Sequence, residues 1–171
     1  WAKLNNLKQA AKTMNFLTEH GISSYGELES KLNAVSARRD TAHAEIKRIE
    51  SRSAELALVM KHAGTYRQLK PLYDRYRKSN DKEKFLRGHE SEIILFEAAA
   101  RELKRLGTVP LPTTESMKTE LANLNAEKER LLAEYKAART EAQEYDTVKQ
   151  NVDALLTVAK EQEQQRRHEL E

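Results

Sequence analysis

The stretch MKTELANLNAEKERLLAEYKAARTEAQEYDTVKQNVDALLTVA, residues 117–159, decides the fold. Stepping alternately by four and three picks out Met117, Leu121, Leu124, Lys128, Leu131, Tyr135, Ala138, Ala142, Tyr145, Lys149, Val152, Leu156 and Ala159, with Lys128 and Lys149 the two polar breaks. Such a row belongs to a helix that buries one narrow seam against another helix. At 1.5 Å rise per residue that helix would run about 64 Å. A compact ball cannot cover it, so the chain must supply a second long helix or find one elsewhere.

Residues 28–63 carry the matching row: Leu28, Leu32, Val35, Arg39, Ala42, Ile46, Ile49, Ser53, Leu56, Met60 and Ala63. The two rows have similar length, and the chain between them is long enough to reverse direction. The expected fold is therefore all-α: a long antiparallel coiled coil within one chain, a helical hairpin, with a small helical subdomain at its turn. Arg39, Ser53, Lys128 and Lys149 would fix register at some cost in stability.

Outward from the two rows, the organisation reads as follows. Residues 1–22 form an N-terminal helix with the stripe Leu4, Leu7, Ala11, Met14 and Leu17, ended by Gly21. Residues 24–79 form the first heptad helix, opened by the capping box Ser24-Tyr25-Gly26-Glu27 and kinked near 64–71, where the row slips phase and Pro71 interrupts hydrogen bonding. Residues 80–107 form a middle helical connector, with a break and a new N-cap at Asn80-Asp81-Lys82-Glu83, a short or bent helix at Gly88 and an end at Gly107. Val109-Pro110-Leu111-Pro112 is extended, because each proline keeps its predecessor out of the helical region. Residues 113–160 form the second heptad helix, and the polar run 161–171 is expected to fray. Tyr66, Leu69, Tyr73, Tyr76, Phe85, Phe96, Leu103 and Leu106 would make a small core at the turn. The chain reads as a segment of something longer, with Leu170-Glu171 set aside as a cloning remnant.

Composition excludes several classes. There is no cysteine, so no disulfide framework and no thiolate zinc site. No apolar run approaches the roughly 20 residues of a membrane span, and the start has no secretory signal pattern; a cytoplasmic chain is expected. The five histidines fall at no ligand spacing, there is no Gly-rich phosphate loop, and no serine sits in a nucleophile elbow. No cofactor, metal or catalytic residue is assigned. Tyrosines at helical spacing read as core or seam.

Charge is unevenly placed. Residues 115–171 hold 9 basic and 13 acidic groups, whereas residues 66–88 hold 8 basic and 3 acidic. Arg67, Lys70, Arg75, Arg77, Lys78, Lys82 and Lys84, interleaved with Tyr73 and Tyr76, form the candidate nucleic-acid-binding set: cations for phosphates, rings for unpaired bases. Two plainer readings stand beside it. The basic block complements the acidic last helix, or the tyrosines form the turn core with the cations as its solvated rim.

Three stretches resemble the relaxases, or mobilisation nucleases, of conjugative and mobilisable elements from Firmicutes. They are Asn15-Phe16-Leu17 with His20-Gly21-Ile22-Ser23-Ser24-Tyr25-Gly26-Glu27-Leu28; Tyr73-Asp74-Arg75-Tyr76-Arg77 with Phe85-Leu86 and His89-Glu90-Ser91-Glu92-Ile93; and Leu111-Pro112 ahead of Glu127-Lys128, Glu134-Tyr135, Ala138-Arg139 and Asn151-Val152-Asp153. The similarity covers about residues 11–157 and falls on the region C-terminal to the family's catalytic domain. The family cleaves single-stranded DNA at an origin of transfer through a tyrosine and a histidine-held divalent metal. No tyrosine here follows that nucleophile motif, so no catalytic residue carries over. The resemblance implies a noncatalytic helical accessory module of a DNA-mobilisation protein, with DNA or conjugation-machinery proteins as partners. Pairing of the two rows within one chain favours a monomer over a homodimer. The alternative is a coiled-coil scaffold or homodimerising rod with no nucleic-acid role.

Overall fold

The computed structural model describes residues 2–108 and 110–168, with side chains from residue 6 onward. It is all-α. Helices α1 (Ala2–Glu19), α2 (Tyr25–Lys78), α3 (Lys82–Arg105) and α4 (Thr114–His168) follow in order, with no strand among the described residues. The long helices α2 and α4 pair antiparallel as a helical hairpin.

Local chemistry sets the helix ends. Gly21 (φ 61°) and Gly107 (φ 68°) adopt the left-handed conformation that closes α1 and α3. At each, the next N–H reaches back, Ile22 to the Leu17 carbonyl (2.8 Å) and Thr108 to that of Leu103 (3.1 Å). Ser24 Oγ caps α2 by accepting from Glu27 N (3.2 Å), but the Glu27 carboxylate returns to Ser23, accepting from its N–H (2.7 Å) and hydroxyl (2.9 Å). Asp81 caps α3 through the Lys84 N–H (2.9 Å), and Thr113 caps α4 through Ser116 N (3.1 Å). Pro71 lies inside α2, which continues to Lys78; the non-helical backbone falls in α3, at His89 (φ −142°, ψ 24°). α4 stays helical through 161–168, expected to fray, where Arg167 and Glu163 pair at 2.6 Å. Val109 and residues 169–171 lie outside the described residues.

The chain divides into two compact units, Trp1–Glu45 with Leu131–Glu171, and Ile46–Arg130. In the first, the start of α2 lies against the second half of α4. Tyr25 donates to Asp153 (2.6 Å), Lys149 pairs with Glu29 (3.7 Å), Arg38 with Glu141, and the His43 ring lies 5.6 Å from Tyr135. As α2 numbers rise, α4 numbers fall: the pairing is antiparallel. Ile22, Leu28, Val35, Ala142, Tyr145 and Val148 form the core, with Phe16, Leu17, Leu32 and Val152 packed on it.

Two expectations fail in this unit. Leu7 and Met14 are 68% and 60% exposed, and Ala11 is exposed as well; the Leu4 side chain lies outside the described residues. α1 instead turns in Thr13, Phe16 and Leu17, also one face of a helix. Phe16 meets the Tyr145 ring edge-on at 5.1 Å, and its ring stacks with His20 at 4.0 Å. Thr13 is 2% exposed and accepts from Asn151 Nδ2 (3.1 Å), whose Oδ1 accepts from Gln9 (2.9 Å). α4 offers α1 an aromatic ring and an amide, and the Phe16 face answers both. The second correction is Leu156, placed in the seam by its heptad position yet 46% exposed. Tyr25, the first residue of α2, already faces Asp153, so α2 has nothing left to cover it.

The hydrogen bond from Tyr25, with Lys149 beside it, holds the Asp153 carboxyl below the usual carboxylate range. A depressed folded value contributes stability above the unfolded pKa of about 3.9 and loses it as pH falls through the folded value. The melting temperatures of wild type and Asp153→Asn should therefore differ at pH 6 and converge toward pH 2. A gap that stays constant with pH removes Asp153 from the acid limb.

In the second unit, Lys128 pairs with Glu50 (2.7 Å) and Arg52 with Glu120 (2.7 Å), again antiparallel. Ile46 and Ile49 are buried, 6% and 4% exposed. Leu56, Val59, Ala63, Leu103 and Met117 form the core, with Leu121 and Leu124 among the half-buried residues packed on it. Leu131, Ala138 and Tyr145 are buried and Tyr135 half-buried in the first unit. Neither Val59 nor Val148 stands in a heptad row. Each is buried where a third helix joins, α3 in one unit and α1 in the other, widening the two-helix seam into a three-helix stripe.

Candidate nucleic-acid interface

The α2–α3 turn is organised by rings. Phe96, 6% exposed, lies between Tyr66 (centroids 4.8 Å) and Tyr73 (4.1 Å), both stacked on it at an interplanar angle of 23°. Tyr73 continues to Tyr76 (5.9 Å), Tyr76 to Phe85 (6.1 Å), and Phe85 to His89 (4.8 Å). Tyr66, Leu69, Tyr73 and Tyr76 recur at helical spacing on one side of α2, so α3 folding back meets them together. Burial, with Glu97 adding to it, pushes the Tyr73 phenol up; its hydroxyl donates to Glu97 at 3.4 Å.

The cations lie outside this ladder, and all seven are exposed. Arg67 donates to Thr114 Oγ1 (2.8 Å) and to the Pro112 carbonyl, tying α2 to the entry of α4. Lys70 pairs with Asp74 (2.8 Å). Hydrogen bonding from Lys70 holds the Asp74 carboxyl below its usual range, and Lys78 and Arg77 act on it too. Arg75, Arg77, Lys78, Lys82 and Lys84 make no ion pair among the described residues. At about 100° per residue, Arg77 falls within about 20° of Lys70, and Arg75 within about 60° of Lys78, so the last turn of α2 carries cations around much of its circumference.

The plainer electrostatic explanations cover part of the set. Arg75, Arg77 and Lys78 sit in the last turn of α2, where the helix dipole favours cations. Lys82 and Lys84 open α3, where the same dipole opposes them. No cation from 70 to 84 pairs with a carboxylate of α4 among the described residues; Glu120 and Glu141 are taken by Arg52 and Arg38. The Asp81 carboxylate occupies the α3 N-cap, so that helix end is not open to an anion.

The structure thus places Arg77 and Lys78 at the end of α2 and Lys82 and Lys84 at the start of α3, and commits Arg67 and Lys70 to neighbours within the chain. It places Tyr73 and Tyr76 in the ring ladder. Phe96, expected in the turn core, stacks on Tyr73, whereas Glu97, which accepts from the Tyr73 hydroxyl, escaped the charge-and-tyrosine pattern. Among the described residues no three His, Asp or Glu side chains converge as a metal site requires, and no helix is long and apolar enough to cross a membrane. No protein-family profile, curated protein or solved structure matches the chain.

Proposed function

We propose that this chain is a noncatalytic helical accessory module of a relaxase-like DNA-mobilisation protein, and that it holds DNA in the cytoplasm through the cationic α2–α3 turn. The observation that carries the reading is the group of exposed cations around Ser79–Asp81 that make no ion pair among the described residues, two of them opposed by the dipole of their own helix. A surface that retains charge against helix stability has a use for it outside the chain. The resemblance over residues 11–157 supports a DNA-processing context and implies that strand cleavage is carried by the family's catalytic domain rather than by these residues.

Charge reversal tests it. The full chain carrying Arg75→Glu, Arg77→Glu, Lys82→Glu and Lys84→Glu should bind a labelled oligonucleotide at least about 100-fold more weakly than wild type at low salt. The melting temperature should stay nearly unchanged, since all four side chains are exposed. Unchanged affinity removes the DNA role from this turn.

A second reading, an association module, is favoured by Leu155 (46% exposed), Leu156 (46%) and Val158 (50%) on α4. Sedimentation discriminates: a monomer at high micromolar concentration opposes association, and a concentration-dependent dimer supports it.

A further inference from the structure

The ring ladder bears on which form of DNA the turn takes. Proteins that hold single strands combine a basic groove with aromatic faces on which bases stack, each worth about 1–3 kcal/mol. At this turn the faces are already used. Tyr66 and Tyr73 cover Phe96, at 4.8 and 4.1 Å, and Tyr73, Tyr76 and Phe85 are half-buried in one continuous contact series. What remains outward is mainly cationic: Arg77, Lys78, Lys82 and Lys84, exposed and without ion pairs among the described residues, outnumber the exposed Asp81 and Glu83. Cations without stacking faces answer to phosphate density, and duplex DNA presents one charge per about 1.7 Å of axis.

We infer that the α2–α3 turn recognises the phosphate backbone of duplex DNA, without base stacking and without sequence readout. The inference rests on the DNA-binding reading above and narrows it to the paired segment of a substrate rather than the strand that is opened and cut. The resulting contact positions and does not specify, because phosphate contacts carry no base information.

The test measures binding of the full chain to a fluorescent duplex and to its single strand of equal length, from 50 to 200 mM salt. Four engaged cations predict that duplex affinity falls roughly 150-fold over that range, against roughly 50-fold for a single strand. At 50 mM salt the duplex should bind about three- to tenfold tighter. Two further variants, Tyr73→Leu and Tyr76→Leu, remove a ring while keeping apolar bulk; each should lower the melting temperature and change DNA affinity less than about twofold. Preference for the single strand, weakened at least tenfold by either tyrosine variant at a temperature where the protein is folded, overturns the duplex inference and leaves DNA binding standing. Wild-type affinity in the charge-reversed protein overturns both. Equal binding to vesicles containing anionic phospholipid overturns the duplex inference in favour of a membrane surface.

Discussion

Replacing Phe96 with alanine should lower stability by about 3–5 kcal/mol, among the largest losses open to a single substitution in this chain. The side chain is 6% exposed and is the shared stacking partner of Tyr66 and Tyr73. Truncation removes the transfer free energy of the ring and opens a cavity between two tyrosines whose positions depend on it. Offset-stacked pairs add about 0.5–1.5 kcal/mol each beyond area, so the upper half of the range is expected. For a chain of this length the melting temperature should drop by roughly 10 °C. The adjacent residue supplies the control: Leu95 is 55% exposed, and Leu95→Ala should cost well under 1 kcal/mol. Near-equal losses at the two positions would show that Phe96 is not an anchor of the turn.

Leu28→Ala should cost about 2–5 kcal/mol. Leu28 is 1% exposed in the core of the first unit, grouped with Ile22, Val35, Ala142 and Tyr145. It opens the seam of α2 just past the Ser24 cap, so the cavity would form where the chain leaves α1 and enters the hairpin. Leu156 occupies the equivalent kind of position in the other heptad row and is 46% exposed. Leu156→Ala should therefore be nearly neutral in the monomer. Denaturant midpoints at constant slope would measure both. If the two variants lose comparable stability, the seam continues past Asp153 and the assignment of Leu156 to the surface is wrong.

The contrast between these leucines marks how far the sequence could be read. Heptad spacing describes a helix relative to itself. It shows that Leu28 and Leu156 lie on a stripe, but only the length of the partner decides whether the stripe is covered, and α2 has no residue beyond Tyr25 to lay on Leu156. Val59 and Val148 err in the other direction. A two-helix seam leaves them out, yet a third helix in each unit buries them. α1 offered the apolar stripe of Leu7, Ala11, Met14 and Leu17 and the mixed face of Thr13, Phe16 and Leu17. The second wins because Phe16 has the Tyr145 edge to meet, and Thr13 has Asn151 to satisfy its hydroxyl in a buried position. Of the candidate interface, the cations were legible as a charge imbalance. The rings were legible as a turn core, with base stacking the competing reading, and Phe96 and Phe85 of α3 packing on Tyr73 and Tyr76 favour the core.

By itself the sequence determined that the chain is helical, where most helices begin and end, and that two heptad rows close on each other in opposite directions. Helicity and helix ends depend on groups within a few residues of one another, namely caps, left-handed glycines, prolines and a repeat of 3.5, and the antiparallel closure follows from two such rows of similar length in one chain. Only the tertiary structure decided which face of α1 is buried, how far each seam is covered, and which ring each tyrosine packs against. A buried face is a property of two surfaces, and its partner lies dozens of residues away along the chain.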